Sequence, residues 1–415
     1  MKKAVEGCIL GIVVLVFLFV GWIKLPVVFY NQGNEYLDKK QYGRARIAFQ
    51  RSIAINPAIA VVHYGLGNTY QALGDETAAV PCFKKAIELD PGFLSPYLSL
   101  AAIYSNRALY ADALTTLASA RSAAGEKRGI EESVRSITFE YQASELSGAV
   151  DAYISGDRVQ AYERVRKAIR LKNDYPYAHY TLGFFLYTDK DYEEARRSLQ
   201  NAIRLDPQMW LAWRLLGDIA FERAEYEAAV AHYQEAVSVW HESAALYNNL
   251  GLAYMNLERY AEAISPLRSA VRIEPRNTSI RYSLASVYRD SGRAAEALRE
   301  YAIVVREQDD FPNVHNDIGD IYENLGKHED ARREYLQEIG SAQLRLRAAA
   351  QDPVTLTSLA YAYCGAGLFD KAFASAQQAI RIAPGYREAH LALARIYAKT
   401  NRPADSIAVL EKAKK

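Results

Sequence analysis

The sequence predicts an all-α solenoid of about eleven stacked helix hairpins behind one N-terminal transmembrane helix, and three observations predict it. A glycine or alanine returns every 34 residues through most of the chain: at Gly33, Gly67 and Ala101, then from Ala149 through Gly183, Gly217, Gly251 and Ala285 to Gly319, and finally at Ala360 and Ala394. A fixed period of that length marks a repeat array. Within each period, apolar residues recur three or four apart in two short stretches, as two amphipathic helices require. The first two dozen residues read differently, with Lys2 and Lys3 ahead of an unbroken apolar run from Cys8 to Ile23.

The repeated unit is most legible over residues 60–91, where Leu66, Gly67, Tyr70, Gly74, Ala79, Phe83, Ala86 and Pro91 fall at fixed offsets, and residues 244–275 repeat the pattern with Tyr247, Leu250, Gly251, Tyr254, Tyr260, Ala263, Leu267, Ala270 and Pro275. The small residue lets two helices approach and the proline stops the second. On these residues the chain resembles the tetratricopeptide repeat family, and the resemblance implies a right-handed superhelix. Eleven units begin near Pro26, Ala60, Leu94, Gln142, Pro176, Trp210, Ala244, Thr278, Pro312, Pro353 and Arg387, leaving no room for a separate catalytic domain.

The spacing stretches twice, to 48 residues between Ala101 and Ala149 and to 41 between Gly319 and Ala360. The excesses are about four and two helical turns, which predicts lengthened helices and not loops. The first carries Ile130, Val134, Ile137 and Tyr141 at helical steps; the second, with Leu344 and Leu346, prolongs the second helix of the ninth unit. The expected organisation is therefore an anchor at 1–25, units one to three at 26–125, a helical insertion at 126–141, units four to nine at 142–345, a helical extension at 346–352 and units ten and eleven at 353–415. The fourth unit is the most degenerate, without an aromatic at Ala152 or a proline at Asn173.

The sixteen apolar residues 8–23 would span about 24 Å as a helix, short of the roughly 30 Å hydrocarbon core. Leu25, Val27, Val28 and Phe29, with Lys24 snorkelling, make up the difference. A cleaved signal peptide is the competing reading, since the charged start fits one, but no clear small-x-small cleavage site follows the run, so the expectation is an uncleaved single-pass anchor in the lipid bilayer. Positive charge crowds before the run, which puts the N-terminus in the cytoplasm and the repeats outside it, in a periplasm-like space; the cytoplasmic face is the alternative.

Fifty basic residues against 49 acidic give a formal net charge of +1, which argues against nucleic acid as a partner. Cys8, Cys82 and Cys364 form no CxxC pair, so no disulfide framework or cysteine-rich zinc site is expected. His63, His179, His315 and His390 all occupy the fourth position of a unit, where Trp213 and Tyr247 stand elsewhere, and read as packing residues. No HExxH helix, glycine-rich phosphate loop or GxSxG elbow occurs, so neither enzyme activity nor a cofactor is expected.

Function must then come from surface. The resemblance implies a concave groove lined by the first helices, and assigns to it Tyr177, Tyr180, Phe184, Tyr187, Arg214, Asp218 and Phe221 in units five and six. In units seven to nine it assigns Asn248, Asn249, Met255, Asn256, Tyr282, Ser286, Arg289, Asn316, Asp320, Glu323 and Asn324. Tyrosines give contact area at low entropic cost and asparagines pair with both groups of a peptide backbone. The expected function is a membrane-anchored scaffold that binds protein or peptide segments in this groove. The alternative is an envelope assembly element that self-associates through an uncapped C-terminal end, where Ile407 and Leu410 face outward.

Overall fold

A computed structural model describes residues 24–413, so the expected anchor over residues 8–23 lies outside the described residues. Among the described residues no helix is long and apolar enough to cross a membrane. Twenty-two helices pair into eleven hairpins with no strand among the described residues. Helix α1, residues 24–38, and α2 (Tyr42–Ile55) form the first hairpin; α3 (Ala60–Ala72) and α4 (Glu76–Leu89), and α5 (Leu94–Asn106) and α6 (Tyr110–Ala124), form the next two. Pro26 is already part of the first hairpin, its carbonyl accepting from Ser52 Oγ at 2.7 Å, while Leu25, Val27 and Val28 are exposed.

The first insertion runs without a break into the fourth hairpin: α7 (Arg128–Ile154) is one 27-residue helix, paired with α8 (Arg158–Leu171). Hairpins five to eight are α9 (Pro176–Thr188) and α10 (Tyr192–Leu205), α11 (Trp210–Glu222) and α12 (Tyr226–Val239), α13 (Ala244–Asn256) and α14 (Tyr260–Ile273), and α15 (Thr278–Asp290) and α16 (Ala294–Glu307). In the ninth, α17 (Val314–Asn324) pairs with α18 (His328–Ala348), a helix of 21 residues. The tenth and eleventh are α19 (Pro353–Gly365) with α20 (Phe369–Ile382) and α21 (Arg387–Lys399) with α22 (Pro403–Ala413). Two compact units emerge, one ending at Leu182 and the other starting at Gly183.

Each hairpin turns through one left-handed residue at the same place in the repeat. Gly74, Gly156, Gly292, Gly326 and Gly367 fill five of these positions, and Lys40, Ala108, Lys190, Ala224, Glu258 and Asn401 fill the others at φ between 57° and 64°. Asp75, Asp157 and Asp191 then cap the second helix, each accepting the backbone N–H three residues on.

Between hairpins, the fourth-position side chain reaches back six residues to a proline carbonyl. His63 bonds Pro57 O at 2.8 Å, Trp213 Nε1 donates to Pro207 O at 3.0 Å, and His390 bonds Pro384 O at 2.8 Å. A carbonyl only accepts, so the ring nitrogen carries the proton and these histidines staple hairpins together. In the degenerate fourth unit the closing proline is missing, and His179 bonds the Asn173 side chain at 2.9 Å instead.

The extra turns of α18 carry Arg345 back onto Glu338, a fully buried carboxylate, at 2.6 Å. Glu338 also accepts from Ser358 Oγ at 2.7 Å, and Arg345 donates to the Asp310 carbonyl at 3.0 Å, so the extension ties the loop before α17 to α18 and α19.

Candidate functional site

The repeating small residue makes a notch, and a second-helix side chain sixteen residues later fills it. A Cβ on Gly217 would stand 2.5 Å from the Tyr233 ring, and one on Gly319 would stand 2.7 Å from the Tyr335 ring. Leu199 and Leu267 fill the corresponding notches at Gly183 and Gly251. Where the filler is tyrosine, its hydroxyl passes through to the first-helix face. Tyr233 donates to Asp218 at 2.8 Å, Tyr335 to Asp320 at 2.6 Å, and Tyr301 to Asp317 at 3.0 Å while sharing a 3.0 Å bond with Ser286.

These carboxylates line two concavities, both in the second unit. The larger, about 480 Å³, is built from α15, α17, α19 and α21 and holds Tyr282, Arg289, Asn316 and Asp320 of the expected groove residues. The smaller, about 160 Å³, gathers Tyr187, Asp218, Phe221 and Asn249 with Glu222. Arg214 pairs with Asp218 at 2.8 Å on its edge. Phe184 is exposed on α9. Asn248 is half-buried with its Oδ1 unbonded. Asn256 turns its amide back onto the Leu252 carbonyl at 2.9 Å. Tyr177 and Tyr180 belong to the first unit, where Tyr177, 52% exposed, lines an aromatic concavity with Phe139 and Tyr175.

Several expected contact residues prove to be committed within the fold. Asn316 is buried and donates to the Ser358 carbonyl at 3.0 Å, which fixes its amide orientation and leaves Oδ1 without a partner. Arg289 pairs with Asp317, which also accepts from Tyr282 at 2.6 Å. Asp320 receives both arms of Arg395, at 2.8 and 2.5 Å. Burial pushes the Asp317 carboxyl up, against the pull of Arg289 and the tyrosine hydroxyls. Burial would raise Asp320 too, but the two-armed Arg395 bond and Tyr335 hold it below the usual carboxylate range.

Arg395, Tyr361, Tyr386 and Glu388 also line the larger concavity but were not expected there, because the groove assignment stopped at the ninth unit. A signal existed: Tyr361 and Arg395 occupy the ninth position of their units, as Asp218 and Asp320 do. Among the described residues no cluster of His, Cys, Asp and Glu could hold a metal ion. What the arrangement offers is contact area, hydrogen-bonding groups and charge.

No curated protein matches the chain in sequence. Among solved structures, yeast Tom70 is similar at 18% identity and a TM-score of 0.41, covering 94% of this chain and 91% of its own. YrrB, described as a tetratricopeptide-repeat protein with an unusual peptide-binding site, is 19% identical with a TM-score of 0.38 over 54% of this chain and 95% of its own. A tetratricopeptide repeat protein from Parabacteroides merdae is 15% identical with a TM-score of 0.48, covering 66% of this chain and all of its own. Proteins of this repeat class are generally protein-interaction scaffolds, usually without catalysis, and bind protein or peptide partners. Tetratricopeptide-repeat models match residues 27–59, 60–93, 185–242, 224–278, 254–316, 312–339 and 363–415, more than half of the sequence, and the chain belongs to that family.

Proposed function

We propose that this protein is a membrane-anchored scaffold that holds partner polypeptides in the first-helix concavities of its second unit. Residues 8–23 tether it to the bilayer, and the repeats stand on the extracytoplasmic side. The observation that carries the reading is the 480 Å³ concavity, where four tyrosines, two asparagines and a free carboxylate surround a hollow large enough for peptide side chains.

The test is site-specific photocrosslinking in native membranes. A photoreactive phenylalanine analogue at Tyr361 or Tyr187 should capture partner protein, and one at Leu336, exposed on second helix α18, should not. Equal capture from all three sites would remove the groove from the reading. One observation favours self-assembly as a second reading: Ile407, 59% exposed, and Leu410 lie open on the last helix. Concentration-dependent sedimentation that Ile407→Asp abolishes would support it.

A further inference from the structure

The two concavities carry a charge imbalance that says what kind of segment they accept. Both arginines lining the larger one are already matched, Arg289 by Asp317 and Asp290, Arg395 by the two-armed bond to Asp320. Glu388, exposed in the first turn of α21, lines the same concavity and forms no ion pair among the described residues. In the smaller one, Asp218 has Arg214, whereas Glu222 has only hydroxyl donors, Tyr187 at 2.7 Å and Tyr192. Each concavity thus holds one carboxylate that forms no ion pair among the described residues, Lys190 acting on Glu222 only from a distance, and no lining arginine without a carboxylate.

The aromatic lining agrees in kind. Tyr386 stands in the larger concavity with no hydrogen bond from its hydroxyl among the described residues, beside Tyr361, whose ring already has Arg395 over it at 5.6 Å, and Tyr187, its hydroxyl on Glu222, and Phe221 stand in the smaller. Aromatic faces beside an unmatched carboxylate attract a cation more strongly than either does alone. Asn316 adds a buried acceptor, its Oδ1, that lacks a donor while its amide nitrogen is spent on Ser358. An anionic segment would meet Glu388 and Glu222 as like charges, with both lining arginines neutralised.

Resting on the scaffold reading above, we propose that the second unit's concave face selects a basic polypeptide segment, with one lysine or arginine side chain entering beside Glu388 and another beside Glu222.

Fluorescein-labelled decapeptides, acetylated and amidated, test this by anisotropy against the full-length protein in nanodiscs of zwitterionic phosphatidylcholine. One alternates lysine with serine, one glutamate with serine, and one is serine and glycine only. The lysine peptide should bind and the glutamate peptide should not, with affinity falling as salt rises. Glu222→Gln with Glu388→Gln should weaken the lysine peptide about tenfold, since two charged contacts of roughly 0.7 kcal/mol each are lost. Glu227→Gln with Glu411→Gln, the same net change placed elsewhere, should leave it within twofold. Both target residues are exposed and glutamine retains an acceptor for Tyr187, so the fold survives. Binding of the glutamate peptide, or equal loss in the two double variants, would overturn the inference. Crosslinking from Tyr361 that survives both glutamine changes would sink the charge preference and leave the scaffold reading standing.

Discussion

Tyr335 shows how one atom divides packing from recognition in this repeat. Its ring fills the Gly319 notch as Phe83 fills that at Gly67, but its hydroxyl goes through the notch to Asp320. The link is visible in the sequence once known: tyrosine at 233, 301 and 335 accompanies Asp218, Ser286 and Asp320, whereas Phe49 and Phe83 accompany Asn34 and Asn68. His315 departs from its fellows in a similar way. It is buried, and Glu334 accepts from its Nδ1 at 2.7 Å, so it holds a charge partner where His63 and His390 hold carbonyls. Burial pulls this imidazole down, and Glu334, with Glu338 and Asp309 beside it, more than offsets that and raises it above the ordinary 6.5. A raised histidine contributes stability that is complete below the unfolded value and is lost as pH climbs through the folded one. The melting temperature should therefore fall from pH 6 to pH 8 by more in the native protein than in His315→Asn. Parallel curves would show that the pair contributes nothing.

At the scale of the element, the hairpin turn is where local preference and repeat geometry disagree. Ala108, Ala224 and Glu258 adopt the same left-handed conformation as Gly74, at φ 57–58°. A side chain there costs roughly 1–2 kcal/mol, and glycine gives back about half of the gain through its greater freedom in the unfolded chain. Ala108→Gly, Ala224→Gly and Glu258→Gly should each stabilise by about 0.5 kcal/mol, and Gly74→Ala should do the reverse, read from urea midpoints. Unchanged midpoints in all three would show that the turns relax without strain. The hairpins themselves were legible because a helix pair must place its small residue, its filler and its closing proline at fixed offsets. The larger concavity was only half legible, for a different reason. Arg395 reaches Asp320 across 75 residues of sequence, and no rule of local spacing announces a bond between hairpins two apart. The network of Glu338, Arg345 and Ser358 was hidden likewise, since a helix two turns too long says nothing about which buried carboxylate its last arginine will meet.

For the whole molecule, the side of the membrane decides which partners the concave face can meet. The proposed orientation rests on charge asymmetry around the apolar run, where Lys2, Lys3 and the amino terminus precede it within seven residues and Lys24, Lys39 and Lys40 follow more sparsely. Gly43 offers a place to test it, exposed at the start of α2 with nothing within 4 Å of where a Cβ would stand. With Cys8, Cys82 and Cys364 replaced by alanine, Gly43→Cys carries the only thiol. A maleimide that cannot cross the inner membrane should label it in intact cells to the same extent as in detergent-lysed ones. Labelling confined to lysed cells would put the repeats in the cytoplasm, and any basic partner would then be sought there. Recovery of the protein in the soluble fraction after alkaline carbonate extraction would remove the anchor itself, and the scaffold would lose its attachment while keeping its concavities.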